Sequence, residues 1–337
     1  MMQKNMIGWL QDMLTATPKQ TLPILGFPAV QALGVSVEAL VADSHLQADA
    51  MVWIASHTST AAALSLMDLS VEAECFGASV RMSKDEVPTV VGRLIQDEDD
   101  ANALAIPAVG SGRSGRSVEA VAEAVKRVTD KPVLAGMIGP FSLAARLFDV
   151  SEIMMDCYDE PDMVHTVLEK CTAFLIAYAK AFKEVGAGGV LMAEPVAGML
   201  SPMLEEEFSS PYVKQIVDAV QDDNFLVIYH NCGDNTLRMV DSILTTHAAA
   251  YHFGNAIDMV EMLQKMPADV VVMGNVDPVG VLWHGTPDVV RMATTDLMEK
   301  CKGYPNFWVS SGCDIPPATP WENINAYFEA VEKFDGT

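Results

Sequence analysis

Positive charge is scarce in this sequence. Lys and Arg together number 21 of 337 residues against 45 Asp and Glu, a formal net charge of −24. Phosphate recognition needs clustered cations, so this balance excludes nucleic acid as a partner. The acidic excess is that of a solvated surface. Long apolar runs are missing too, and without a stretch of about 18 apolar residues nothing spans a membrane. The first residues, with Lys4 and Asp12 around a short apolar patch, make an amphipathic start and no export signal. Cysteines number six, without regular spacing. That excludes a disulfide framework and points to the reducing cytoplasm, with thiols free to bind metal.

Half of the residues are hydrophobic and 20% are charged, which excludes general disorder. The length suits one large α/β barrel, so a single domain over residues 1–337 is expected. Apolar β-runs fall at residues 21–26, 62–69, 132–138, 189–193, 225–229, 249–253, 270–273 and 307–310. Between them lie helical patterns. One covers Ser44 to about His57 with Ser44 as cap, and one runs from Ser117 to Thr129. A long helix after Pro161 carries Val164, Leu168, Cys171, Leu175, Tyr178 and Phe182 on one stripe and stops at Gly186. Thr286-Pro287 and Thr319-Pro320 each have a capping Thr before a Pro in the first helical position. Eight strands with helical crossovers predict a (β/α)₈ TIM barrel, with residues about 71–110 as an excursion from the repeat.

The chemistry gathers at two strand ends. Phe225 to Tyr229 leads into His230-Asn231-Cys232-Gly233, and Phe307 to Ser310 leads into Ser311-Gly312-Cys313-Asp314. Residues two apart on an extended chain share a face, so His230 and Cys232 can aim an imidazole nitrogen and a sulfur at one point. Cys313 at a matching strand end completes a three-ligand zinc site whose fourth position is open, the arrangement of a catalytic metal. Cys171 belongs to a core stripe, and Cys75, Cys157 and Cys301 have no partner at a ligand spacing, so these four are structural.

Several stretches resemble the uroporphyrinogen decarboxylase superfamily, and within it the zinc-dependent methylcobamide:thiol methyltransferases. They are Gly139-Pro140-Phe141-Ser142, Glu194 to Pro202, His230-Asn231-Cys232-Gly233, Gly274-Asn275-Val276-Asp277-Pro278 and Ser311 to Pro317. The resemblance implies that His230, Cys232 and Cys313 hold zinc, which binds a thiol such as coenzyme M as thiolate and aims it at a methyl group on cobalt. Decarboxylases of the family carry an Arg-rich segment near the first strand. Residues 22–31 here contain no Arg, which counts against decarboxylation. A corrinoid carrier shows an Asp-x-His-x-x-Gly motif, and none of the seven His sits in one. The methylcobamide is therefore expected on a separate corrinoid protein that docks over the barrel mouth. Demethylation of another substrate onto the corrinoid, and a non-catalytic corrinoid-binding barrel, are the alternatives.

Three further residues at strand ends are candidates for catalysis. Glu194 follows its strand directly, and its oxygen would bind zinc more weakly than sulfur does. It is expected to fill the fourth position until thiol displaces it, or to accept the thiol proton. His252 is expected to line the methyl-transfer cavity, and Asp277, before Pro278, to form a turn. For a sulfonate on the thiol, Arg81, Arg113 and Arg146 are no better than any surface Arg.

Overall fold

The computed structural model describes residues 5–16 and 19–334. Lys4, named above, lies outside the described residues. Seven parallel strands form one sheet in which every strand pairs with the next in sequence. They are β1 (Ala63–Leu64), β2 (Val133–Ile138), β3 (Gly189–Ala193), β4 (Leu226–Asn231), β5 (Ala250–Phe253), β6 (Val271–Val276) and β7 (Phe307–Ser311). All residues of β3 to β7 are buried, as expected for parallel strands covered on both faces.

Alternation along these strands sorts the core into two clusters. Leu134, Leu191, Leu226, Ile228, Val271, Met273 and Trp308 face inward and pack with one another across the curled sheet. Val133, Val190, Val227, Tyr229, Tyr251 and Val272 face outward into the layer of helices. Helix α1 (Met6–Thr15) buries Met6, Leu10 and Met13 in the inner cluster, and Trp9 meets Trp308 edge-on at 5.7 Å. This helix therefore seals the end of the sheet from which the strands start. Among the outer helices, α2 (Pro140–Phe148) follows β2, α3 (Pro161–Glu184) carries the expected buried stripe, and α4 (Trp321–Lys333) follows β7.

Residues 21–26, expected as a strand, make one bridge, Thr21 to Thr60. Pro23 has no N–H to give to a ladder, so side chains take over. Thr21 Oγ1 donates to Val309 O at 2.7 Å, Ser310 Oγ donates to Leu22 O at 2.7 Å, and Ile24 N donates to Ser311 Oγ at 2.9 Å. The segment thus lies between the two edge strands, β1 and β7. The strand expected over 62–69 shrinks to the two residues of β1. Between β1 and β2 lie the helix Val71–Cys75, a small antiparallel pair (Ser79–Arg81 with Thr89–Val91) and the helix Glu98–Ala103.

Two caps differ from expectation. Asp43, not Ser44, caps the helix Ser44–His57, because its carboxylate accepts from both His45 N and Leu46 N. Pro320 precedes α4 without a side-chain cap. Thr286 does cap its helix, accepting from Val289 N.

Candidate metal centre

Pairing register brings the first ligand into position. Ala193, His230, His252, Met273 and Trp308 lie on one row across β3 to β7, so His230 and His252 are neighbours on the inner face. His230 is buried near the end of β4, at the carboxyl edge of the sheet. Cys232 follows two residues later, and Cys313 follows β7. One ligand atom from each of His230, Cys232 and Cys313 lies within 4.8 Å of the others, the only such cluster among the described residues. Cys313 Sγ lies 3.7 Å from His230 Nε2. Zn–S bonds of about 2.3 Å and Zn–N bonds of about 2.0 Å at tetrahedral angles put sulfur and nitrogen about 3.5 Å apart. The donor set and its spacing therefore fit a zinc ion.

The turn that carries Cys232 is held from outside. Asn231 Oδ1 accepts from Gly233 N at 3.1 Å and Thr236 Oγ1 at 2.8 Å, while its Nδ2 donates to Tyr229 OH at 3.1 Å. Gly254, beyond β5, passes so close to Cys232 that a Cβ on it would overlap the cysteine's own Cβ. The two thiols shift each other in opposite directions. Cys313 lowers the Cys232 pKa by donating to it, and Cys313 is pushed up to about 12 by Cys232 and by burial.

His252 is fully buried, and burial together with His230 holds its pKa well below the usual histidine value, so the ring is neutral. Its Nδ1 lies 2.8 Å from His230 Nδ1, and its Nε2 lies 2.8 Å from Ser310 Oγ. Glu194, at the end of β3, turns its carboxylate to the first turn of α2. Oε1 accepts from Phe141 N at 2.8 Å, and Oε2 accepts from Ser142 N at 2.8 Å and Ser142 Oγ at 2.6 Å. Burial raises its pKa to about 7, against the pull of these donors. Asp277 Oδ1 accepts from Val279 N and Gly280 N, both at 2.9 Å, the turn role expected of it. Neither Glu194 nor Asp277 belongs to the three-residue cluster.

Arg113 overturns its description as a surface residue. It is 3% exposed and forked into carboxylates: it pairs with Asp68, donates from Nε to Glu74 at 2.7 Å, and donates from Nη2 to Ser70 Oγ at 2.7 Å. Its neighbour Glu72 is buried, with Oε1 accepting from Ile138 N at 3.0 Å and Oε2 unpartnered; burial raises its pKa to about 7. Arg81 is exposed, and Arg146 on α2 pairs with no carboxylate among the described residues. Sequence reasoning missed Ser310 as a support of the site and Asp68 as the partner of Arg113. The one local signal was Ser310-Ser311, two hydroxyls at the end of an apolar strand. Burial raises the Cys75 thiol pKa and pushes Cys157 and Cys301 up to about 12, in keeping with structural roles.

A parallel α/β sheet with two thiols and an imidazole gathered at its carboxyl edge defines a protein built around a soft-ligand site. The family described as uroporphyrinogen decarboxylase (URO-D) matches residues 24–334, and the chain belongs to that family. It is 29% identical over 277 residues to the methylcobamide:CoM methyltransferase MtbA of Methanosarcina mazei, covering 79% of this chain and 78% of that one. It is 30% identical to the uroporphyrinogen decarboxylase of Prochlorococcus marinus, over 60% of this chain and 59% of the relative. Among solved structures, a methyltransferase from Methanosarcina mazei superimposes with a TM-score of 0.84 at 23% identity, covering 98% of this chain and 99% of that one, which shows a shared fold.

Proposed function

We propose that this chain transfers a methyl group from a methylated corrinoid, carried by a separate protein, to a thiol activated on zinc. The observation that carries the reading is the cluster His230, Cys232 and Cys313, three soft ligands that leave a tetrahedral position free. The similarity to a methylcobamide:CoM methyltransferase supports it. Bound zinc would lower the pKa of an incoming thiol and so supply thiolate at neutral pH. The two cysteine thiolates offset the charge of the ion, and the neutral imidazole adds none, so the incoming sulfur keeps the electron density that a nucleophile needs. Glu194, with both oxygens engaged by α2, fixes the strand end beside the site, and the fourth position is left to the thiol. Asp277 holds the turn after β6, on the rim of the same edge.

This reading takes the fold as a single closed (β/α)₈ domain, with residues 21–26 as the eighth stave, working in the cytoplasm. It gives the decarboxylase alternative weaker support, because residues 22–30 are buried and residues 22–31 lack the cations that a polycarboxylate substrate requires. The test offers methylcobalamin with coenzyme M, homocysteine or tetrahydrofolate and follows loss of the methyl–cobalt absorbance, with zinc content measured in parallel. Thiol-dependent loss that disappears with zinc in Cys313→Ala and His230→Ala is expected. Uroporphyrinogen consumption, or zinc retained by those variants, would overturn the reading.

A further inference from the structure

The hydrogen-bond chain beneath His230 runs 2.8 Å to His252, 2.8 Å to Ser310 and 2.7 Å to the carbonyl of Leu22. Every side chain in it is at most 1% exposed, so water cannot complete any of the bonds. For two neutral rings, donor and acceptor accounting then leaves one arrangement. A backbone carbonyl only accepts, so the single hydroxyl proton of Ser310 goes to Leu22 O. Ser310 Oγ must therefore accept from His252 Nε2–H. A neutral imidazole has one N–H, so His252 Nδ1 presents a lone pair. That lone pair accepts the Nδ1–H of His230, which leaves His230 Nε2 unprotonated and facing Cys313 Sγ.

We infer that His252 and Ser310 are positioning residues that fix His230 in the tautomer needed for metal binding, with the Leu22 carbonyl as the fixed end of the relay. The inference rests on the reading of His230 as a metal ligand, and it reassigns His252 from the wall of the cavity to the support beneath the ligand. Its physical content is pre-organisation. A free imidazole divides between two tautomers and turns about its side-chain bonds, whereas this one holds its lone pair toward the sulfurs before any metal arrives. The relay also reaches across two strands, from β5 to β7. It ends on the segment that lies between the sheet edges, so that segment is part of the metal centre's scaffold.

Nitrogen-15 spectra of the histidine rings in metal-free protein at neutral pH decide the tautomer directly. His230 protonated at Nδ1 is expected, and protonation at Nε2 would overturn the inference. Zinc affinity, measured by competition with a chromophoric chelator, supplies the second readout. His252→Phe fills the space but accepts nothing, and about a 10- to 100-fold loss of affinity is expected. His252→Asn, whose Oδ1 can stand where Nδ1 stood, should recover much of that loss, and Ser310→Thr should bind closer to wild type than Ser310→Ala. A folded His252→Phe protein that binds zinc as tightly as wild type would overturn the proposal. Should wild type bind no zinc, the functional reading fails, and the metal-free spectra still decide the relay.

Discussion

Gly254 and Cys232 touch backbone to side chain, with no room between them for a methyl group. The turn that carries Cys232 is therefore held in place by the absence of a side chain on the next strand's loop. Gly254→Ala is expected to push Cys232 out of the cluster at a cost of about 1–3 kcal/mol for overpacking. Urea unfolding should register the loss of stability, and zinc content per chain should fall. A variant with wild-type zinc would show that the turn can yield.

Glu194→Gln tests the anchor at the start of α2. The amide would set an NH₂ against backbone donors at Phe141 or Ser142, where the carboxylate now accepts three bonds. A destabilisation of about 1–3 kcal/mol is expected, with zinc retained. If thiol activation slows most at low pH while stability is unchanged, Glu194 takes the thiol proton instead.

Glu72 makes the stability of the fold depend on pH. Its folded pKa is raised from 4.5 to about 7, so between those values the folded state holds a proton that the unfolded chain has lost. Its contribution is most favourable below pH 4.5 and declines as pH rises through 7, by up to roughly 1.4 kcal/mol per pH unit. Glu72→Gln has no proton to lose. It should match wild type near pH 5 and exceed it near pH 8 in denaturant titrations, and parallel pH curves for the two proteins would refute this.

Arg113→Ala would leave Asp68 and Glu74 without their cation, the first of them buried. Removal of one partner from a buried ion pair costs about 3–5 kcal/mol. Arg113→Lys should recover only part of it, since an ammonium cannot fork to Asp68, Glu74 and Ser70 together. Thermal unfolding of both variants measures this, and a full rescue by Lys would show that charge alone suffices.

The three candidate ligands were legible in the sequence because a strand end is a local feature. A continuous apolar run that stops at His230 or shortly before Cys313 announces the edge, and the two-residue spacing of His230 and Cys232 puts them on one face. The strands from β2 to β7 were legible for the same reason, as continuous buried runs between helices with a clear stripe. What depends on register was not legible. His252 could be placed at a strand end, but its contact with His230 follows from the pairing of β4 with β5, and no local pattern encodes that pairing. Arg113 looked like any surface cation because its counter-charges, Asp68 and Glu74, are about 40 residues away. Residues 21–26 looked like a strand by apolarity, and Pro23 together with the hydroxyls of Ser310 and Ser311 replaced most of its ladder.

The seam between residues 21–31 and the last strand also has a temporal side. Thr21 waits for Val309 and Tyr327, Ile24 for Ser311, and the carbonyl of Pro28 for the indole of Trp321, partners nearly 300 positions further along. At a translation rate of roughly 5–20 residues per second, the early segment spends on the order of tens of seconds without them. Cys313 emerges near the end of the same interval. His230 and Cys232 are therefore made well before the third member of their cluster, and the three side chains can come together only once Cys313 has been added.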